Sequence, residues 1–290
     1  MVLEKLFPIK DLLNNRGLLF LYAAIIAVVS SLTAYFLFPG SASILTIAFI
    51  TIAFTHFIRR TFGMTEKMIN SKEEGLFKTY YVIIMSYAKI FIALTIIFTI
   101  LFALAPEPFR EAIFHEQIEV VKQVGHLRDQ ILSSVGNFVL PLSEGVKSTA
   151  FLIFFNNLQV LLTTIVLSFV YGAGAIFLIA YQASILGSII GANIVNLFGK
   201  YTSMGIYGNL FAFLHGSYLS LSIIPHGILE LLAYFLGAVA GGIISALLIG
   251  HYSHSKEAFS RTIKDVFKLV LLAIGLLVLG AIVETFLLLG

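Results

Sequence analysis

Long apolar runs alternate with short polar stretches along the whole chain. Several runs approach or exceed about 20 residues, the length at which a helix crosses the hydrocarbon core of a bilayer. The alternation typical of a membrane β-strand is absent. The pattern predicts an all-α, polytopic transmembrane helix bundle with about seven spans, within a range of roughly six to eight. The predicted spans cover 17–38, 42–58, 80–105, two segments within 150–199, 226–250 and 266–289.

Composition agrees with an integral membrane protein. Of the 290 residues, 59% are hydrophobic and only 11% are charged, against roughly 25% charged residues in a soluble domain. The absence of cysteine excludes disulfides and thiolate chemistry. The net charge of +3 is scattered over the chain, so nucleic acid is not an expected partner. The expected partner is the lipid bilayer, together with other proteins or a second copy of the chain.

The basic residues predict the orientation in the cell membrane. Lysine and arginine are concentrated near the N-terminus, in 59–79 and in 251–265, and such segments stay on the cytoplasmic side. The N-terminus is therefore predicted to be cytoplasmic. We divide the chain into 1–79, a transmembrane hairpin with a basic cytoplasmic loop, and 80–290, the membrane core.

Residues 106–149 form the longest polar segment and carry more acidic than basic side chains, which favours the external face. Apolar residues recur at helical spacing within it, which predicts one external amphipathic helix. This helix either lies on the membrane surface or caps the bundle. The apolar positions are Ile113, Val120, Val124, Leu127, Ile131, Val135 and Phe138.

Residues 201–224 are apolar but are interrupted by Asn209, His215 and Gly216, and Pro225 follows them. The span count places residues 199–200 on the external side of the membrane, and the charge pattern places 251–265 on the cytoplasmic side. The chain must therefore cross the membrane an odd number of times between them, and the 226–250 helix supplies one crossing. We therefore predict that 201–224 is a re-entrant or interfacial segment, dipping in and returning before Pro225.

We single out six of the polar residues that lie within or beside the predicted spans. Such residues are costly in a bilayer and are candidates for a functional site. His226 and Glu230 are one helical turn apart, and Lys89 is a candidate partner for Glu230. The structural alternatives are support of a helix start, snorkelling to the headgroups, and hydrogen bonding between helices. The candidate intramembrane polar site consists of Lys89, Asn156, Asn157, His226, Glu230 and Glu284.

Small residues at spacing four predict two helix-packing seams, because such ladders let two helix backbones approach closely. One seam contains Ala183, Gly187 and Gly191. The other contains Ala233, Gly237, Gly241 and Ser245.

The motifs of common enzymes are missing. The sequence has no HExxH, no GxSxG and no phosphate-binding loop. His251, His254 and Glu257 stand at helical spacing beside the membrane, where solvated side chains are the expected interpretation rather than a metal site. We expect no catalytic residues, no metal and no cofactor.

The segments FFNNLQVLLTTIVLSFVYGAGAIFLIAYQASILGSIIG, PHGILELLA and IVETFLL together resemble the stage II sporulation protein M family of integral membrane proteins. The resemblance covers about 80–290, and PHGILEL is its most specific part. YQASILG departs from the Asn-Gly that the family usually has there. The resemblance implies a membrane anchor that works in a complex with peptidoglycan-degrading enzymes.

Two functions remain open. The first is a non-enzymatic membrane scaffold that assembles with partner proteins or a second copy. The second is a transport protein, such as an ABC-type permease subunit or an ion- or proton-coupled transporter, with a polar site around His226 and Glu230.

Overall fold

The structure is a computed structural model, and within its described residues every regular element is a helix. It describes residues 8, 11–12, 15–70, 76–122, 142–171, 174–201, 204–219, 224–248 and 256–289. The helices are α1 Arg16–Leu37, α2 Ala42–Asn70, α3 Leu76–Leu104, α4 Glu107–Ile113, α5 Leu142–Tyr171, α6 Ala175–Tyr201, α7 Gly205–Leu219, α8 Ile224–Leu248 and α9 Lys256–Leu289. Residues 115–122 are also helical.

Seven of these helices are long and apolar enough to cross a membrane, which confirms the predicted polytopic bundle. The candidate spans are Gly17–Leu37, Pro39–Phe62, Tyr80–Leu104, Ala150–Val170, Ala175–Tyr201, Gly227–Leu248 and Phe259–Leu287. α7 has 15 residues, which rise about 22 Å and fall short of the roughly 30 Å hydrocarbon core. Its re-entrant or interfacial position stays a prediction.

Local chemistry explains the first helical hairpin. α1 begins after Asn15, whose side-chain oxygen accepts hydrogen bonds from the backbone N–H groups of Gly17 and Leu18. It ends at Leu37, with Phe38 as its C-cap, because Pro39 cannot continue the helix. A single 3-10 turn, Pro39–Ser41, then leads directly into α2.

Two helices extend further than their apolar runs. α2 continues to Asn70, through part of the predicted basic loop, and α9 begins at Lys256 rather than after 265. Lysine, arginine and glutamate have high helix propensity, so a spanning helix readily continues beyond the bilayer into polar sequence.

The chain divides into two compact units. Unit 1 contains Met1–Phe54, Ser86–Gln123 and Ile179–Ile224. Unit 2 contains Thr55–Met85, Val124–Leu178 and Pro225–Gly290. The predicted division at residue 79 is based on where the sequence resemblance begins, whereas these units are based on contacts. It therefore stays a prediction.

Within unit 1, α6 packs closely on α3 at two glycines of the first small-residue ladder. A Cβ atom added at Gly187 would lie 2.7 Å from the Cβ of Phe98 and 3.1 Å from the carbonyl oxygen of Thr95. At Gly191 it would lie 2.6 Å from the Cβ of Phe102. Side chains at these two positions would therefore push the two helices apart.

We expect Gly187→Ala to destabilise the protein by about 1–3 kcal/mol, the usual cost of overpacking a close contact. Gly275→Ala is the matched control, since a Cβ atom at Gly275 meets nothing within 4 Å and alanine favours a helix. Thermal unfolding in detergent measures both variants. Equal unfolding midpoints for the two would contradict the observed close packing of α6 on α3.

Candidate functional site

A buried amide in unit 2 joins α5 to α8. The side-chain nitrogen of Asn157 donates a hydrogen bond of 2.5 Å to Oε1 of Glu230. The hydroxyl of Tyr234 donates one of 2.8 Å to Oδ1 of Asn157. A carboxylate only accepts, so the two contacts together determine which way the amide points. Asn157 thus uses both ends of its amide between one carboxyl group and one phenol.

The second small-residue ladder brings α5 and α8 together. A Cβ atom at Gly237 would lie 2.5 Å from Cδ1 of Leu161, and one at Gly241 would meet the carbonyl oxygen of Ile165. Ser168 on α5 donates a hydrogen bond of 2.7 Å to the carbonyl oxygen of Ala238. This close approach allows a side chain as short as asparagine to bridge the two helices.

Glu284 adds a second carboxyl group. It lies on α9, which packs along α5, and it interacts electrostatically with Glu230. Glu230 is about one helical turn from the start of its span, and Glu284 is about one turn from the end of its own. We call Asn157, Glu230, Tyr234 and Glu284 the carboxyl cluster. It lies close to the ends of these two spans rather than at their middle.

The other predicted site residues lie elsewhere. Asn156 is exposed on α5, although it is adjacent in sequence to the buried Asn157. Lys89 is half-buried on α3 in unit 1, and its pairing with Glu230 stays a prediction. His226 falls in the first turn of α8, one turn before Glu230, but its side chain lies outside the described residues. The side chains of His251, His254 and Glu257 also lie outside them.

Unit 1 contains a second buried amide, in the part of the predicted external helix that is described. We call residues 107–122 the cap segment. Gln117 is only 1% exposed; its Oε1 accepts a hydrogen bond of 2.8 Å from Ser43, and its Nε2 donates one of 2.9 Å to Ser184. Through these bonds the cap segment is attached to both α2 and α6.

Apolar packing holds the same segment. The fully buried ring of Phe114 lies 5.8 Å from the ring of Phe98 and 5.1 Å from that of Phe102, between centroids. Residues 107–122 therefore pack on helices of unit 1, as the capping alternative requires, and their external position stays a prediction. Residues 123–141, which include five of the predicted apolar positions, lie outside the described part of the chain.

An open cleft borders the cap segment in unit 1. It has a volume of about 500 Å³ and lies between residues 39–44, which are the turn and the start of α2, and the first helical turns of the cap. Its polar lining includes Ser41, Ser43, Glu111, His115 and Glu116. No group of three or more histidine or acidic side chains among the described residues is arranged to hold a metal ion. The chemical character of the cleft therefore comes from its acidic and hydroxyl side chains rather than from a metal site.

An exposed ion pair lies on the cap segment outside this cleft. Lys122 donates a hydrogen bond of 2.9 Å to Glu119. This bond and the positive charge of Lys122 lower the pKa of Glu119. Exposed pairs of this kind contribute little to stability, which makes Glu119 a suitable control position.

Sequence reasoning overlooked Tyr234, Gln117, Ser43 and Ser184. Tyr234 follows Glu230 by four residues and therefore shares its helix face, which is a usable signal. Gln117 interrupts the apolar side of an amphipathic helix, where a buried polar residue requires partners. Nothing local indicates that two serines on distant helices supply those partners.

The fold and the buried polar contacts define a polytopic α-helical membrane protein. A model of the family described as Stage II sporulation protein M matches residues 17–287, so the chain belongs to that family. The matched range includes the N-terminal hairpin as well as the region that carried the sequence resemblance. No curated protein and no solved structure gave a match.

The hydrogen bonds of Asn157 predict that substitutions at Glu230 and at Asn157 have different effects on stability. We expect Glu230→Gln to cost little stability, because the glutamine oxygen still accepts from Asn157. We expect Asn157→Leu to cost about 1–3 kcal/mol, since it leaves a buried hydroxyl and a carboxyl without their partner. Unfolding of both variants in the same detergent measures the difference. A glutamine variant as unstable as the leucine variant would show that the charge itself carries the stability.

Proposed function

We propose that this protein is a non-enzymatic scaffold of the cell membrane that binds a partner protein at the cap segment. The observation that carries this proposal is the cap itself. Its inner side is held by Gln117 and Phe114, while its outer side borders an open acidic cleft. A surface that is already ordered loses little conformational entropy when a partner binds.

The charge of the cleft suggests the chemistry of the partner. Glu111 is exposed, Glu116 is half-buried, and both line the cleft. Two acidic side chains beside the hydroxyl of Ser41 suit a segment that presents lysine or arginine. We therefore propose a protein partner with a basic docking segment.

Family membership is in line with a scaffold. The resemblance to stage II sporulation protein M implies an anchor that holds peptidoglycan-degrading enzymes at the membrane. We carry over the anchoring role and not sporulation itself. The partner would then be an envelope protein on the external side of the membrane.

This proposal requires the cap segment to be outside and the N-terminus to be cytoplasmic. The chain has no cysteine, so single cysteines can be labelled without background. We expect Glu111→Cys to react with a membrane-impermeant maleimide in intact cells. Arg60→Cys, at an exposed position near the predicted cytoplasmic end of its span, should react only after permeabilisation. The reverse pattern would invert the orientation and remove the external partner.

The scaffold itself is tested by charge reversal in the cleft. Removing the whole segment is unsuitable, because it would also remove the buried Phe114 and Gln117. We expect Glu111→Arg to reduce recovery of the co-purifying partner by roughly tenfold, with thermal stability unchanged. Glu119→Arg, on the same segment outside the cleft, should recover the partner normally. Quantitative mass spectrometry after purification in mild detergent measures both.

The outcomes of that purification separate the two candidate functions. Partners lost only with Glu111→Arg support docking in the cleft. Partners recovered equally with both variants would contradict it. An ATPase subunit that co-purifies regardless of the cleft would instead favour the permease interpretation.

One observation favours transport as the second candidate. Two carboxyl groups, Glu230 and Glu284, interact within candidate membrane spans, and ionisable residues inside a membrane are typical of ion and proton pathways. Substrate and ion sites of transporters typically lie near the bilayer midplane. The carboxyl cluster lies close to the ends of two of its spans and uses its polar atoms to join helices, so the scaffold is the better supported candidate.

A further inference from the structure

α5 is the least enclosed of the candidate spans. Only 17% of the most apolar stretch of this span is buried, against 28% for the span in α9 and larger shares for the others. Lipid covers exposed apolar side chains at no cost, so low burial alone assigns no partner. The composition of the exposed side is what makes α5 unusual.

Three polar residues lie on that exposed side. Asn156, Gln159 and Thr163 are exposed and follow one another at spacings of three and four, so they share one face of the helix. Thr163 is satisfied within α5, since its hydroxyl donates a hydrogen bond of 2.8 Å to the carbonyl oxygen of Gln159. Among the described residues, no side-chain hydrogen bond reaches the amides of Asn156 and Gln159.

Gln159 lies too deep to reach water, while Asn156 is one turn nearer the end of the span. The span Ala150–Val170 has 21 residues, and Gln159 falls near its middle. Asn156 is about 9 Å from its start by helical rise. An amide without a partner in hydrocarbon costs several kcal/mol. The expected solution is a hydrogen bond to a polar group on another helix at the same depth.

The exposed residues also follow the spacing of a helix–helix interface. Positions at alternating steps of four and three residues form a continuous seam, the pattern of a left-handed coiled coil. All six members are exposed. The seam consists of Leu152, Asn156, Gln159, Thr163, Val166 and Val170.

We propose that this α5 seam is the interface of a parallel, two-fold homodimer of the chain. Two copies inserted in the same orientation place each residue of α5 at the depth of its own counterpart. An amide carries both a donor and an acceptor, so Gln159 and Asn156 can each bond the same residue of the second copy. Any other partner would need its own polar residues at these two depths. This inference is independent of the cleft, which uses other residues.

Disulfide cross-linking in native membranes tests the seam, because the chain has no cysteine of its own. We expect Val166→Cys, on the seam and 56% exposed, to form a cross-linked dimer under mild oxidation. Leu271→Cys, 52% exposed on α9, is the matched control and should remain monomeric. A cross-linked product of any other mass would assign the seam to a different protein and overturn the proposal.

The amides are tested by Gln159→Leu in the Val166→Cys background. We expect association, measured by energy transfer between labelled copies in liposomes, to weaken about threefold to thirtyfold. Asn209→Leu removes an exposed amide from α7 and should leave association unchanged. Thermal unfolding separates loss of association from loss of fold. Undiminished association of Gln159→Leu, or no cross-link at Val166→Cys, would overturn the proposal.

Discussion

Polar side chains that are buried away from water must make their hydrogen bonds to protein. Each unit contains a buried side-chain amide that donates one hydrogen bond and accepts another. In unit 2, Asn157 joins α5 to α8 through Glu230 and Tyr234. In unit 1, Gln117 joins the cap segment to α2 and α6. Because each amide is satisfied at both ends, each also has one preferred orientation.

These contacts depend on how closely the helices approach. Gly237 and Gly241 bring α8 onto α5, and without that approach the side chain of Asn157 would be too short to bridge them. On α5 the residue before Asn157 is exposed instead of buried. Adjacent positions on a helix differ by about 100° in direction, so Asn156 points away from the contact that satisfies Asn157. One face of α5 therefore has its buried amide bonded within unit 2, while the other exposes Asn156 and Gln159.

The number and type of elements were predictable from the sequence, and so were some of the close contacts. A bilayer of fixed thickness requires an apolar run of fixed length, so the seven spans follow from local composition. The extent of the helices was less predictable. α2 and α9 continue into charged sequence, because the apolar run marks where a helix meets lipid rather than where its hydrogen bonds end.

The sequence by itself determined the class of protein, the span count and the presence of carboxyl and amide groups near membrane depth. Each depends only on local composition and helical spacing. Only the tertiary structure decided that Asn157 is buried and Asn156 exposed, that Tyr234 joins Glu230, and that Gln117 meets two serines. Asn157 and Glu230 are 73 residues apart in the chain. Their contact depends on the rotation of two helices about their axes, which is decided by packing between distant segments and not by either segment alone.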